Sequence, residues 1–301
     1  MRVLSLFDGI ACGRLACQRA GLQVDKYYAS EINEYAMQVA RRYWSPVVKG
    51  ASVHHIGDVR QVAGSDFFES IDLLLAGSPC QGFSKVGTQL NFHDPRSELF
   101  FEFLRIKTEL QPEWWLLENV VMKKEWQDVI SEYLGVQPVM IDSAYFSAQR
   151  RKRLYWTNIP IAPHEDERQK YKLRLWDVLL SCELFHEDRE GEYEPLRLSE
   201  KELAYMDRKV ADGRTHWDFA HHSHWKDRKS ACVVANWRKG VPYNVLIDVD
   251  MIRKFHPIEA ERLQTLPDHY TEGLSRTRRY EVIGNGWTVD VVAHILKGIT
   301  L

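Results

Sequence analysis

The chain has 301 residues, 45% of them hydrophobic, and a formal net charge of −2. That is enough for one large domain, or one domain with a small appendage, burying roughly 75% of the unfolded surface. No run of about 18 apolar residues exists, which excludes a membrane-spanning helix, and the near-neutral balance means that any nucleic-acid-binding surface must be local. Five cysteines, Cys12, Cys17, Cys80, Cys182 and Cys232, are scattered with no CxxC pair. This argues for a reducing compartment and against a disulfide frame or a cysteine-rich zinc site. The N-terminus runs directly into "RVLSLF", without the apolar core and cleavage site of a signal peptide.

"RVLSLF" (2–7) predicts a short buried strand, and "IACGRLACQRAG" (10–21) a helix closed by Gly21. "KYYAS" (26–30) predicts a second strand. In "EINEYAMQVARRYW" (31–44), Ile32, Ala36, Val39, Ala40 and Tyr43 fall on one helical face. "IDLLLAG" (71–77) is a continuous apolar strand of the kind buried on both faces. "SELFFEFLRI" (97–106) predicts a helix with Leu99, Phe103 and Ile106 in register, and "EWWLLENV" (113–120) and "KRLYWTNIP" (152–160) predict further strands. Such alternation implies an α/β fold with a parallel sheet and helices on both faces.

The character of the chain changes after Pro160. Residues 161–200 hold 11 acids and 6 bases, whereas residues 201–240 hold 9 bases and 5 acids, together with Trp217, Trp225, Trp237 and four histidines. Periodicity is weak from about 185 to 228, and apolar patterning returns in "NVLIDVDMIRKF" (244–255) and "IEAERLQTL" (258–266). The division expected is a catalytic domain over 1–184, a recognition insert over 185–228 and a return to the catalytic domain over 229–301.

Several positions carry chemistry. In "LFDGIACG" a strand ends at Phe7, Gly9 and Gly13 open a turn, and a helix follows, presenting backbone N–H groups to a ligand. Glu31 closes the second strand, 18 residues beyond Gly13, where an acid accepts hydrogen bonds from ribose hydroxyls. Asp58 in "IGDV" suits an adenine amino group. Cys80 follows Pro79 just past a central strand, where open α/β sheets bind ligands. A lone cysteine is more often a buried hydrophobe, but the glycine-bearing segment from Gln81 to Arg96 resembles a lid, and a thiolate attacks electron-poor carbon well. Glu118 in "LLENV" ends the next strand. "QRRKR" (149–153) precedes a strand, so Gln149, Arg151 and Arg153 are expected on one face. His216, His221, His222 and His224 follow no familiar ligand spacing, and no metal is expected.

Together, "FDGIACG", "SPCQGFS", "ENV", "QRRKR", "EAERLQTLPDHY" and "GNGW" resemble the cytosine-carbon-5 DNA methyltransferases, in that family's order and at its distances, over the whole chain except about 185–228. "ELFFEFLRI", "ENVVM", "PVMID", "RLYWTNIP" and "PDHYT" are similar to the vertebrate de novo branch; a stand-alone bacterial or phage enzyme, without that branch's regulatory N-terminal domains, is expected. The resemblance implies a Rossmann-like S-adenosylmethionine-dependent methyltransferase fold, mostly parallel, with a small target-recognition insert.

It also implies roles. Cys80 adds to carbon 6 of cytosine, Glu118 holds and protonates ring nitrogen 3, and Arg151 and Arg153 steady the exocyclic oxygen, the backbone and the cysteine loop. The base must leave the duplex to reach them. S-adenosylmethionine would lie against Phe7, Asp8, Gly9, Cys12, Glu31, Ile32, Asp58, Val59, Leu99, Asn285 and Trp287. The wider family has asparagine at position 285, the de novo branch arginine; Trp287 follows the de novo branch. Pro79, Gln81, Ser84, Asn119 and Gln149 would contact the target, with Lys226 and Arg228 of the insert on double-stranded DNA. A homo-oligomer through Phe101 and cytoplasmic localisation with DNA are expected. The alternatives are a transfer-RNA cytosine methyltransferase, whose Cys-Phe-Thr signature is not found, and a catalytically silent partner, which would lack the Pro-Cys or Glu-Asn-Val residues found here.

Overall fold

The computed structural model describes residues 1–45, 52–78, 98–164, 172–180, 196–211, 229–236, 245–248 and 251–299. Its strands are β1 (Arg2–Leu6), β2 (Lys26–Ser30), β3 (His54–His55), β4 (Leu73–Gly77), β5 (Trp114–Val120), β6 (Val139–Asp142), β7 (Lys152–Thr157), β8 (Val245–Asp248) and β9 (Met251–Lys254). Its helices are α1 (Cys12–Arg19), α2 (Glu34–Tyr43), α3 (Glu98–Leu110), α4 (Lys124–Leu134), α5 (Glu200–Ala211), α6 (Pro257–Leu263), α7 (Arg276–Asn285) and α8 (Val289–Leu296).

The chain forms two compact units. The first comprises Met1–Asp142, Lys152–His164 and Val289–Leu301. It contains a seven-stranded sheet in the order β3-β2-β1-β4-β5-β7-β6. The expected parallel pairing holds from β3 to β5. β7 runs antiparallel to both β5 and β6, which alternation of apolar residues alone did not reveal. From β1 the chain builds outward to β2 and β3, then returns to place β4 on the other side of β1. That reversal makes a topological switch point, and the crevice of such sheets opens at the carboxyl ends of the strands beside it.

One sheet face is built from Leu4, Leu6, Leu74, Ala76, Leu117, Leu154 and Trp156, which pack with Phe100, Phe103 and Ile106 of α3 and with Ile130 and Leu134 of α4. Their neighbours in sequence, Val3, Leu73, Leu75 and Leu116, point to the other face and are equally buried. Burial on both faces is why β4 reads as an unbroken apolar run. α2 begins later than its pattern suggests. The Asn33 side chain accepts hydrogen bonds from the N–H groups of Tyr35 and Ala36 at 3.0 and 3.2 Å, capping the helix after Ile32. Ala36, Val39 and Ala40 are buried as expected, but Ile32 precedes the helix and is 66% exposed.

The second unit comprises Ser143–Arg151 and Glu165–Thr288. The apolar stretch at 244–255 is a hairpin, β8 paired antiparallel with β9. α6 starts on Pro257, with His256 as its cap and Glu259 closing a reciprocal capping box. Glu259 also holds Arg253 by a two-pronged ion pair with both side chains fully buried. Helix α5 occupies 200–211, inside the stretch expected to be weakly periodic. The recognition insert expected over 185–228 is a functional division. Residues 181–195 and 212–228 lie outside the described residues, and residues 229–288 belong to this second unit.

Candidate active site

Within the first unit, the turn after β1 is unusual. Phe7, Gly9 and Ala11 have φ of 56°, 61° and 60°. Left-handed backbone is costly for residues with a Cβ and collects at ligand-binding turns. The turn is held by the second strand: Asp8 N–H donates to Ser30 O at 3.1 Å, and Gly9 N–H donates to Glu31 Oε2 at 2.8 Å. The other oxygen of Glu31 accepts from the N–H groups of Ile32 and Asn33 at 2.8 and 2.7 Å. A carboxylate has about four lone-pair sites, so Glu31, so fixed, retains acceptor capacity for a ligand. A Cβ placed on Gly9 would meet nothing within 4 Å, so the turn faces open space.

Asp8 turns the other way. Its side chain is buried beneath the turn, and Tyr27 Oη donates to Asp8 Oδ1 at 2.6 Å. Asp8 Oδ2 and Ser5 Oγ are buried without a hydrogen-bond partner. Burial pushes the Asp8 carboxyl up to about 7. Its part in the turn is therefore played by its main chain, with the side chain anchored in the core. Tyr27 carried no signal in sequence beyond that of a strand aromatic.

The remaining donor candidates of this unit extend the same sheet edge. Cys12 is buried at the start of α1, Phe7 is half-buried, and Leu99 packs partly buried against the core. Val59 is a core residue. Asp58 caps a short 3-10 turn, accepting from Arg60 N–H at 3.0 Å and from the Arg60 guanidinium. Those bonds hold the Asp58 carboxyl below its usual range.

The next strand ends carry the second group. Gly77 of β4 lies in register with Glu118 of β5. Ser78, buried, follows immediately, and Asn119 Nδ2 donates to its hydroxyl at 2.9 Å. Two residues further along the sequence is Cys80; Pro79, Cys80, Gln81 and Ser84 lie outside the described residues. Glu118 is 7% exposed, and Arg153 Nε of β7 lies 3.0 Å from its Oε1. Burying a carboxylate costs several kcal/mol unless it is paired, and here the antiparallel β7 supplies the partner. Glu118, Asn119 and Arg153 are thus brought together at the strand edge that leads to Cys80.

Gln149 and Arg151 belong to the second unit, whereas Arg153 belongs to the first. The former two precede β7, where the main chain of 148–150 pairs with Ser230, and both are buried. Arg151 donates to Val233 O at 2.7 Å and to Gly286 O at 3.0 Å. In the same unit Trp287 is 8% exposed and Asn285 is exposed. Lys226, Arg228 and the four clustered histidines lie outside the described residues. Among the described residues, no group of three or more His, Cys, Asp or Glu is placed to hold a metal ion.

The chain is similar to several known methyltransferases. The type II methyltransferase M1.ScrFI of Lactococcus lactis subsp. cremoris is 26% identical over 314 residues, covering 98% of this chain and 77% of that protein. The orphan methyltransferase M.Rho11sI of Bacillus phage rho11s is 34% identical over 166 residues, covering 52% of this chain and 32% of that protein. Among solved structures, the S. pombe Dnmt2 methyltransferase matches with a TM-score of 0.72 at 20% identity, covering 99% of this chain and 97% of that one. At that identity the match speaks to the fold, that of the S-adenosylmethionine-dependent methyltransferases. The family model for C-5 cytosine-specific DNA methylase matches residues 1–300, and the chain belongs to that family, the DNA (cytosine-5)-methyltransferases.

Proposed function

We propose that the chain methylates carbon 5 of a cytosine flipped out of duplex DNA, through a covalent adduct with Cys80. The observation that supports this most is the buried Glu118–Arg153 pair, at the end of the strand in register with the one that leads to Cys80. Carbon 5 of cytosine is a poor nucleophile. Addition of the Cys80 thiolate to carbon 6 moves the ring electrons toward carbon 5 and nitrogen 3, and Glu118 holds and protonates nitrogen 3. Arg153 keeps Glu118 in place as the charge on the ring changes, and Asn119 fixes Ser78 at the root of the cysteine segment. After methyl transfer, carbon 5 loses its proton and the electrons of that bond expel Cys80.

S-adenosylmethionine supplies an electrophilic methyl group when bound. The residues of the first unit fit it. The left-handed turn at Phe7–Gly9 borders open space, Glu31 offers a fixed carboxylate for ribose hydroxyls, and Asp58 and exposed Ile32 suit the adenine. The family match, to the C-5 cytosine-specific DNA methylases, supports DNA rather than transfer RNA as substrate. No helix among the described residues is long and apolar enough to cross a membrane.

The test is duplex DNA carrying 5-fluorocytosine at the target. Fluorine cannot leave as the proton does, so the adduct should accumulate as a covalent protein–DNA complex. Cys80→Ser should abolish the trap while S-adenosylhomocysteine binding is retained. An adduct that persists in that variant removes Cys80 as the nucleophile.

A further inference from the structure

Helix α7 ends at Asn285, and its last turn leaves main-chain carbonyl groups that the helix itself cannot satisfy. Side chains far away in sequence meet the oxygens of Gly284 and Gly286, and add a further donor at Ile283 O, which already accepts the Gly286 N–H at 3.1 Å. Arg151 donates to Gly286 O at 3.0 Å and, through two of its nitrogens, to Gly284 O at 3.4 Å. Gln264 Nε2 donates to Ile283 O at 3.0 Å and to Gly286 O at 3.2 Å. The guanidinium also opposes the negative end of the helix dipole.

Gln149 braces both capping residues. Its Oε1 accepts from Val233 N–H at 3.1 Å, beside the carbonyl that Arg151 holds, and its Nε2 donates to Gln264 Oε1 at 2.8 Å. The Thr288 hydroxyl donates to the same Gln264 oxygen at 2.8 Å. Gln149, Arg151, Gln264 and Thr288 are each 5% exposed or less. The 234–235 main chain also closes on Gly284: a Cβ there would lie 2.2 Å from Val234 C and 2.3 Å from Ala235 N. The main chain of 284–286 is therefore held by side-chain donors and by close packing against the 234–235 main chain.

We propose that Gln149, Arg151 and Gln264 form a clamp that fixes the Gly284–Trp287 turn. Gln149 and Arg151, which the family resemblance assigns to the target cytosine and its catalysis, then act as positioning residues for donor binding. The consequence for the donor rests on the reading of Asn285 and Trp287 as donor contacts; the clamp itself does not. For Arg151 to turn its terminal nitrogens to a base it would give up its bonds to Val233 O and Gly286 O, and losing buried hydrogen bonds is costly.

The test compares Arg151→Lys, which keeps the charge but loses the fork, with Gln264→Met, which keeps the volume but loses the amide. If one of them does not fold, the other carries the same prediction. Each should raise the donor KM about tenfold or more, and in Gln264→Met the rate of 5-fluorocytosine adduct formation at saturating donor should stay within about threefold of wild type. Hydrogen exchange at amides 283–288 should speed up in both. Combining Arg151→Lys with Trp287→Ala should be less than additive in donor affinity, as for groups acting through one another. An unchanged donor KM with a slowed adduct in Arg151→Lys would place Arg151 on the base and overturn the proposal, as would unchanged exchange at 283–288. If Trp287→Ala alone leaves donor affinity unchanged, the donor reading of this turn fails, and the exchange data alone decide whether the clamp exists.

Discussion

Asp8 and Glu118 are carboxyl groups of the same unit, and their surroundings separate their roles. Glu118 is paired with Arg153 at a strand end, whereas Asp8 is buried in the core with one oxygen on Tyr27 and the other unpartnered. Glu118→Gln keeps the size and a hydrogen-bonding oxygen but has no labile proton to give. Single-turnover methylation should slow by on the order of 10²–10⁴, with S-adenosylhomocysteine affinity preserved; wild-type turnover would leave Glu118 a structural strand terminus. Asp8 is expected to show itself in stability instead. Its folded-state carboxyl sits at about 7, against 3.8 for the ordinary group. Between those values the unfolded chain gives up this proton and the folded chain keeps it, so stability falls as pH rises. The slope approaches about 1.4 kcal/mol per pH unit, and the contribution levels off above about 7. Asp8→Asn removes the ionisation. Urea unfolding at pH 5, 6, 7 and 8 should show the variant gaining on wild type up to about pH 7, and a pH-independent difference would refute a neutral buried Asp8.

At the scale of elements, α3 shows how a helix uses adjacent aromatic residues. Phe100 is 2% exposed in the core. Phe101 lies edge-on to Tyr133 of α4, ring centroids 5.5 Å apart. Phe101→Ala should cost about 2 kcal/mol in urea unfolding, less than the about 3–5 kcal/mol of a fully buried phenylalanine. Sedimentation of the same variant addresses the association that the resemblance implies: a fall in mass supports it, an unchanged mass removes it. The elements that sequence made legible are those whose burial is periodic. β1, β2, β4 and the Ala36–Val39–Ala40 stripe of α2 declare themselves because one face, or both, must be apolar. The direction of β7 was hidden, because an antiparallel strand and a parallel one carry the same alternation. α7 was hidden because "RTRRYEVIGN" is predominantly polar and lacks a broad apolar stripe, and α5 because charged residues make up half of "EKELAYMDRKVA". At the site, Glu31 and Glu118 were legible as acids at strand ends. Tyr27 was not, because nothing in a strand sequence says that its hydroxyl will meet a buried acid. Gln149 and Arg151 stood out as polar residues, but their partners are 82–135 positions away.

For the molecule as a whole, the near-neutral charge hides an uneven distribution, with 9 bases against 5 acids over 201–240. If DNA is positioned from there, Lys226→Ala should weaken binding to all sequences alike and reduce the salt slope by about 1. Arg228→Ala, if that arginine reads a guanine, should relax preference at one base and cost about 1–3 kcal/mol there. Fluorescence anisotropy over a salt series and methylome sequencing separate the two. A methylome unchanged after replacement of 205–229 by a neutral linker, with activity retained, would move recognition elsewhere. The grip on the end of α7 has a bearing on how such a molecule diversifies. Arg151 and Gln264 seize main-chain oxygens, and main-chain oxygens are the same whatever side chain stands between them. Position 285 is therefore an interchangeable tooth in a fixed jaw: asparagine here, open to exchange without loosening the jaw, whereas position 284 admits no side chain at all. Saturation mutagenesis scored by thermal stability should find 285 tolerant and 284 intolerant, so donor preference can drift at one residue while the scaffold around it stays constant.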